Sequence, residues 1–141
     1  MADLAITASD VSILATVGPA GTLVAGAVID AGEVFYMDVD DDNKAKLAQS
    51  DGTAAEATIE GMAIASAEKI GQRVPYVKAD DIAITISSVA TKGTQYLLSN
   101  TPGKLCTEGD LSSTNYTVPV AVASAATELT LGIRNTGITR A

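Results

Sequence analysis

The chain has no histidine and no tryptophan, one phenylalanine (Phe35) and one cysteine (Cys106). Without histidine, the usual Ser-His-Asp and Cys-His nucleophile pairs cannot form. A His-bearing zinc site is excluded as well, and one cysteine cannot supply a thiolate cage. A lone cysteine excludes a disulfide within the chain and fits a reducing compartment. Cys106 lies between Leu105 and Thr107 in an apolar–polar alternation, so it reads as an ordinary buried or half-buried thiol. Long apolar runs are missing: nothing approaches the roughly twenty residues of a membrane span. The opening Met-Ala-Asp-Leu has no basic region of a secretory signal. Basic charge is scarce, with nine Lys and Arg against seventeen Asp and Glu, for a net charge of −8. Phosphate neutralisation needs the opposite balance, so no nucleic-acid partner is expected. The acidity reads as a solubility feature.

What is present is a β pattern. The length of 141 residues fits one domain, and a compact chain of this size buries roughly 68–70% of its unfolded surface. Hydrophobic residues make up 47%, much of it alanine, which implies a β-branched core with few aromatic anchors. Such a core gains little burial per residue, and association with other copies would add to it.

Residues 3–17 hold two apolar pieces, which fit either a docking arm or a first strand. Leu23 to Val28 reads as a strand or an arm, and Val34 to Val39, Gln72 to Lys78, Ile82 to Ser88, Thr94 to Ser99, Val118 to Ser124 and Leu129 to Ile133 read as strands; Leu105 starts a short one. Gly18-Pro-Ala-Gly21, Asp30-Ala-Gly32, Asp80-Asp81 and Asn100-Thr-Pro-Gly103 are turns. Asn43 to Ser50 fits a turn or a short helix. Ala54 to Ala67 fits a helix, or a strand after a helical turn, and periodicity does not separate the two. The tail from Arg134 is polar enough to be loose or to dock on a neighbour. Eight to ten short strands with frequent turns predict a mainly β fold, a small sandwich or barrel with one or two short helices. We expect an N-terminal arm or first strand over 1–17 and a single β-rich domain over 18–141, because no Gly/Ser-rich linker divides the chain.

One cluster calls for a metal reading. Asp38-Val-Asp40-Asp-Asp42-Asn43 matches the first three ligand positions of a calcium loop, at Asp38, Asp40 and Asp42. The sixth position is Asn43 where glycine belongs, the ninth is Lys46 and the twelfth is Gln49 where a bidentate glutamate belongs. A solvated acidic loop is the simpler reading. Gly18-Pro-Ala-Gly21 lacks the Gly-Lys-Ser/Thr of a phosphate loop, and Asp80-Asp81 reads as a turn rather than a glycosidase pair. No cofactor and no enzymatic activity are expected.

The chain also carries one short pattern twice, about sixty residues apart. The first copy runs Val28 to Asp38, then Lys46-Leu47-Ala48, Asp51 and Ile59 to Ala67. The second runs Val89 to Ser99, then Lys104-Leu105-Cys106, Asp110 and Val118 to Ala125. A doubled β-motif without catalytic residues points to a building block, made of two related half-motifs.

Tyr36-Met37-Asp38, Lys46-Leu47-Ala48-Gln49-Ser50-Asp51-Gly52-Thr53, Ala54-Ala55, Gly61-Met62-Ala63, Arg73 to Lys78 and Ile82 to Ile86 follow one another in a layout known from phage particles. The chain resembles the head-decoration, or capsid-cementing, proteins of tailed bacteriophages, of the lambda type and its wider group. Gly93 to Ser99 and Pro102 to Leu105 are similar to the Gly-Thr-x-Tyr-Leu-Leu-Ser and Pro-Gly-Lys-Leu segments of that wider group. The likeness runs over roughly two-thirds of the chain. It departs from the lambda type in the second motif copy, the longer C-terminal half and the N-terminal arm. The resemblance implies a β-tulip-like domain that trimerises and sits on the exterior of an expanded capsid, clamping the major capsid protein. The protein would be made in the host cytoplasm and end on the virion. An arm can add a strand to a neighbour, and Ile6, Val11, Ile13 and Leu14 are the candidates, with a first strand packed in their own domain as the alternative. Competing functions are a tail-tube or fibre-base subunit and a small surface- or carbohydrate-binding module. The last needs exposed aromatics, which are few here.

Overall fold

The structure, a computed structural model, describes residues 3–13, 21–78 and 83–139. The expected turns at Gly18-Pro-Ala and Asp80-Asp81 and the contact candidate Leu14 lie outside these residues. Among the described residues there are eleven strands, two 3-10 turns (Ala8–Asp10 and Glu108–Asp110) and no α-helix. The expected short helices are therefore absent from the described residues. Asn43 to Ser50 supplies a strand instead, and the Ala54 to Ala67 stretch forms turns and then a strand.

The first sheet has the order β2 (Gly21–Val24), β6 (Arg73–Val77), β5 (Gly61–Ala63), β3 (Val34–Asp38), β4 (Lys44–Leu47). A parallel bridge from Ala25 to Ala45 joins its two ends, with Gly26 N–H donating to Ala45 O at 2.8 Å. The sheet thus curls into a small barrel. Its interior holds Phe35, Ile29, Val74, Tyr76 and the alanines 25, 45, 63 and 67. Small residues fit because the space inside a five-stranded curl is narrow. Phe35 and Tyr76 meet edge-on, with ring centroids 5.2 Å apart, the arrangement their quadrupoles favour.

The second sheet has the order β1 (Ser12–Ile13), β7 (Ala83–Thr85), β11 (Glu128–Leu131), β10 (Pro119–Ala125), β8 (Gln95–Leu98), β9 (Leu105–Cys106). All named strand pairs are antiparallel. Its inner face, with Tyr96, Leu98, Val120, Ala121, Ala123, Leu129 and Leu131, packs on the outer face of the first sheet through Val34, Met62 and Val77. The mainly β sandwich expected from the sequence is the architecture observed.

The sequence repeat is a repeat of topology. In the first copy, β3 pairs with β4 on one side and β5 on the other, and β6 follows β5. In the second, β8 pairs with β9 and β10, and β11 follows β10. Each copy opens on a glycine at positive φ, Gly32 at 91° and Gly93 at 84°, where a side chain would be strained. Gly32 N–H donates to Ala63 O at 2.8 Å, and Gly93 N–H donates to Ala123 O at 2.8 Å. In return, Ala63 N–H donates to Glu33 O at 2.9 Å, and Ala123 N–H donates to Thr94 O at 3.0 Å.

The two halves lock at a third glycine. Gly103 (φ 78°) accepts from Val34 N–H at 3.1 Å and donates to Ala48 O at 2.7 Å, so a turn of the second copy completes the ladder of the first. Lys104 beside it reaches the Glu33 carboxylate at 3.0 Å.

Gly61 gives the cleanest test of this packing. A Cβ there would lie 2.9 Å from Val77 O and also press on the Tyr76 ring, whereas one at Gly109 meets nothing within 4 Å. Gly61→Ala should destabilise the fold by about 1–3 kcal/mol through overpacking. Gly109→Ala should stay within about 0.5 kcal/mol of the parent. Urea midpoints of the two variants check both values.

Candidate functional site

The N-terminal segment lies on its own domain. Leu4 is buried, and its N–H donates to Leu105 O at 2.8 Å, which covers the edge strand β9. Asp3 Oδ1 accepts from Ser99 Oγ at 2.5 Å. Thr7 N–H donates to Ser87 Oγ at 2.7 Å, and that hydroxyl donates to Asp10 Oδ2 at 3.0 Å. Ile6 and Val11 are half-buried against the core between the sheets. They fill the hollow over Gly32, where a Cβ would come within 2.8 Å of Ile6 Cγ2 and 3.1 Å of Val11 Cγ2. Ile13 stands in β1 opposite Ile84 of β7. Ile6, Val11 and Ile13 thus occupy the positions of a first strand and its lead-in. Burial favours this for Ile6 and Val11, whose apolar surface fills the hollow beside a residue without a side chain.

The acidic cluster turns out to be a hairpin loop. Asp38 pairs with Lys44 across β3 and β4, and Asp42 and Asn43 take φ of 55° and 59° to close the turn. Asp and Asn tolerate that conformation better than other side chains. The Lys46 ammonium sits between two of the carboxylates, 2.8 Å from Asp38 Oδ2 and 3.0 Å from Asp41 Oδ2, and Lys44 is 3.6 Å from Asp41. Asp40 and Asp42 are exposed. The three proposed ligands Asp38, Asp40 and Asp42 are not brought together. Among the described residues no group of three or more acidic, His or Cys side chains could hold a metal ion. The lysine that fails the ninth calcium position is itself the counter-cation.

Cys106 is buried, as its alternation predicts. Burial, then the nearby Asp110 charge, pushes its thiol up to about 11, so it stays protonated and unreactive at neutral pH.

One surface feature escaped the sequence reading. At the end of the sandwich, Met37, Val39, Ala55, Thr58, Ile59 and Asn135 line an open groove of about 360 Å³, with Glu60 on its rim. Asn135 ties the two halves together there. Its Oδ1 accepts from Ile59 N–H at 2.8 Å and its Nδ2 donates to Ile59 O at 3.0 Å. Val39 is 70% exposed, amid the acidic hairpin. A valine flanked by four aspartates was the one local trace of it in the sequence.

No helix among the described residues is long and apolar enough to cross a membrane. Compared with known proteins, the chain matches no family model, no curated protein and no solved structure.

The hairpin makes a prediction about pH. Hydrogen bonds from Lys46 hold the Asp38 and Asp41 carboxyls below their ordinary value of 3.8, and Lys46 is pushed up in turn. As pH falls, the unfolded chain binds protons first, so the stability these groups give is present above about 3.8 and is lost through their lowered folded values. Lys46→Met removes that difference. Its stability should fall less steeply on the acid side than the parent's, as read from urea midpoints across the acid range. A parallel fall in both proteins would exclude the pairing.

Proposed function

We propose that this protein is a structural component of a phage virion. It binds the outside of the capsid, contacts the major capsid protein and stabilises the expanded shell as a homotrimer. The reading rests on the resemblance of the motif residues from Tyr36 to Ile86 and from Gly93 to Leu105 to those of capsid-cementing proteins. In the fold these residues form scaffold, not surface decoration. Gly93 and Gln95 to Leu98 make the second copy's turn and central strand, and Gly103 to Leu105 makes the lock between the copies.

The rest of the molecule suits such a role. Antiparallel sheets with few free edges give a rigid block. Many weak apolar contacts repeated around a symmetric shell add up by multivalency without chemistry. No histidine is available for general acid–base work, and the thiol is buried. The protein would be made in the host cytoplasm and reside on the capsid surface.

The test is binding of the purified protein to expanded shells stripped of decoration. We expect saturable binding at local three-fold positions, seen by cryo-electron microscopy, and survival of the decorated shells at temperatures that rupture bare ones. Six-fold rings that ignore shells would replace this reading with a tail-tube subunit.

A further inference from the structure

We propose that the end groove is a self-association site, and that it takes the Ile138 side chain of a second copy of this chain. The inference builds on the homo-oligomer part of the reading above and is tested without any shell.

The groove floor is apolar and its rim acidic. Met37 and Val39 are exposed, Ile59 lies beneath, and Asp40 and Asp42 stand exposed on the hairpin beside Val39. Its occupant must offer an aliphatic knob in a segment free of negative charge. Among the exposed large apolar side chains in acid-free segments, Val89, Val122 and Ile138, the last is the most exposed. From Leu129 to Arg140 the sequence has two arginines and no acid. Within it Ile138 is 65% exposed, yet its backbone is fixed. Ile138 O accepts from Thr117 N–H at 2.8 Å, and Ile138 N–H donates to Thr136 Oγ1 at 3.1 Å. Thr136 Oγ1 itself donates to Thr117 O at 2.6 Å, and Thr139 bridges to Tyr116. A large apolar side chain on a pre-ordered backbone loses little entropy on docking. Knob and groove are different surfaces, so the contact either exchanges reciprocally across a two-fold axis or runs head-to-tail and closes into a ring when the rotation between copies allows.

The experiment measures mass in solution by sedimentation equilibrium on the full chain at micromolar concentration. Wild type should exceed the single-chain 14.3 kDa. Val39→Asp and Ile138→Asp, both at exposed positions, should each return to 14.3 kDa with the far-UV circular dichroism of wild type. Register is read by mixing single variants: Val39→Cys with Ile138→Cys should form the mixed disulfide faster than either forms with itself. A wild type at 14.3 kDa under all conditions overturns the proposal. So does an oligomer indifferent to either aspartate, or cysteines that couple to themselves.

Discussion

Val34 and Phe35 are neighbours on β3, they point to opposite faces of the sheet, and both are fully buried. Successive strand residues alternate faces, so a single sheet with one wet side cannot bury both. The fold solves this by curling the first sheet around Phe35 and laying the second sheet over Val34. The barrel closure at Ala25 and Ala45, the lock at Gly103 and the docking of Leu4 all follow from covering that central sheet twice. Each fully buried large side chain contributes about 1.5–3 kcal/mol. Double-sided burial lets a chain with one phenylalanine gather enough of them.

The two motif copies stack in the same orientation, and this shows in their residues. Across the first sheet the register sets Val34 beside Met62 and Met62 beside Val77. Across the second, the equivalent row is Gln95, Val122 and Thr130. The first row is completely buried under the second sheet. The second faces outward, with Gln95 and Val122 exposed and Thr130 half-buried. The other face keeps its character in both copies: Phe35 and Tyr96 hold equivalent positions, and each is buried. The copies therefore differ where covering differs, and stay alike where it does not.

Most strands and the duplication were legible because alternation and turn glycines are local signals. β4 was not. Lys44-Ala-Lys-Leu47 is rich in helix formers, but Ala45 and Leu47 pack on the barrel interior and the lysines reach outward to Asp38 and Asp41, so tertiary pairing overrode propensity. The Lys46 ion pair was hidden for the same reason, since it exists only once the hairpin brings residue 46 back to residue 38. The tail read as loose because its sequence is polar. It is held by the Asn135 amide clamped on Ile59, and a contact spanning 76 residues leaves no trace in local composition. The end groove, built from both halves at that clamp, left only one local trace, the valine among four aspartates.

Where a partner can bind follows from the same stacking. The outward face of the second sheet corresponds to a face that is apolar when covered, and here it carries glutamine and threonine on either side of Val122. That exchange suits permanent contact with water better than a dry interface. The barrel interior is closed by β2, and the β9 edge is taken by the N-terminal segment. Large apolar side chains remain exposed mainly at turns and ends, among them Val39 and Ile138. The proposed self-association would therefore use the end of the sandwich and leave the packed sheet faces to the core. Under the reading proposed above, this would leave oligomerisation and folding on separate residues, so that changing one need not disturb the other.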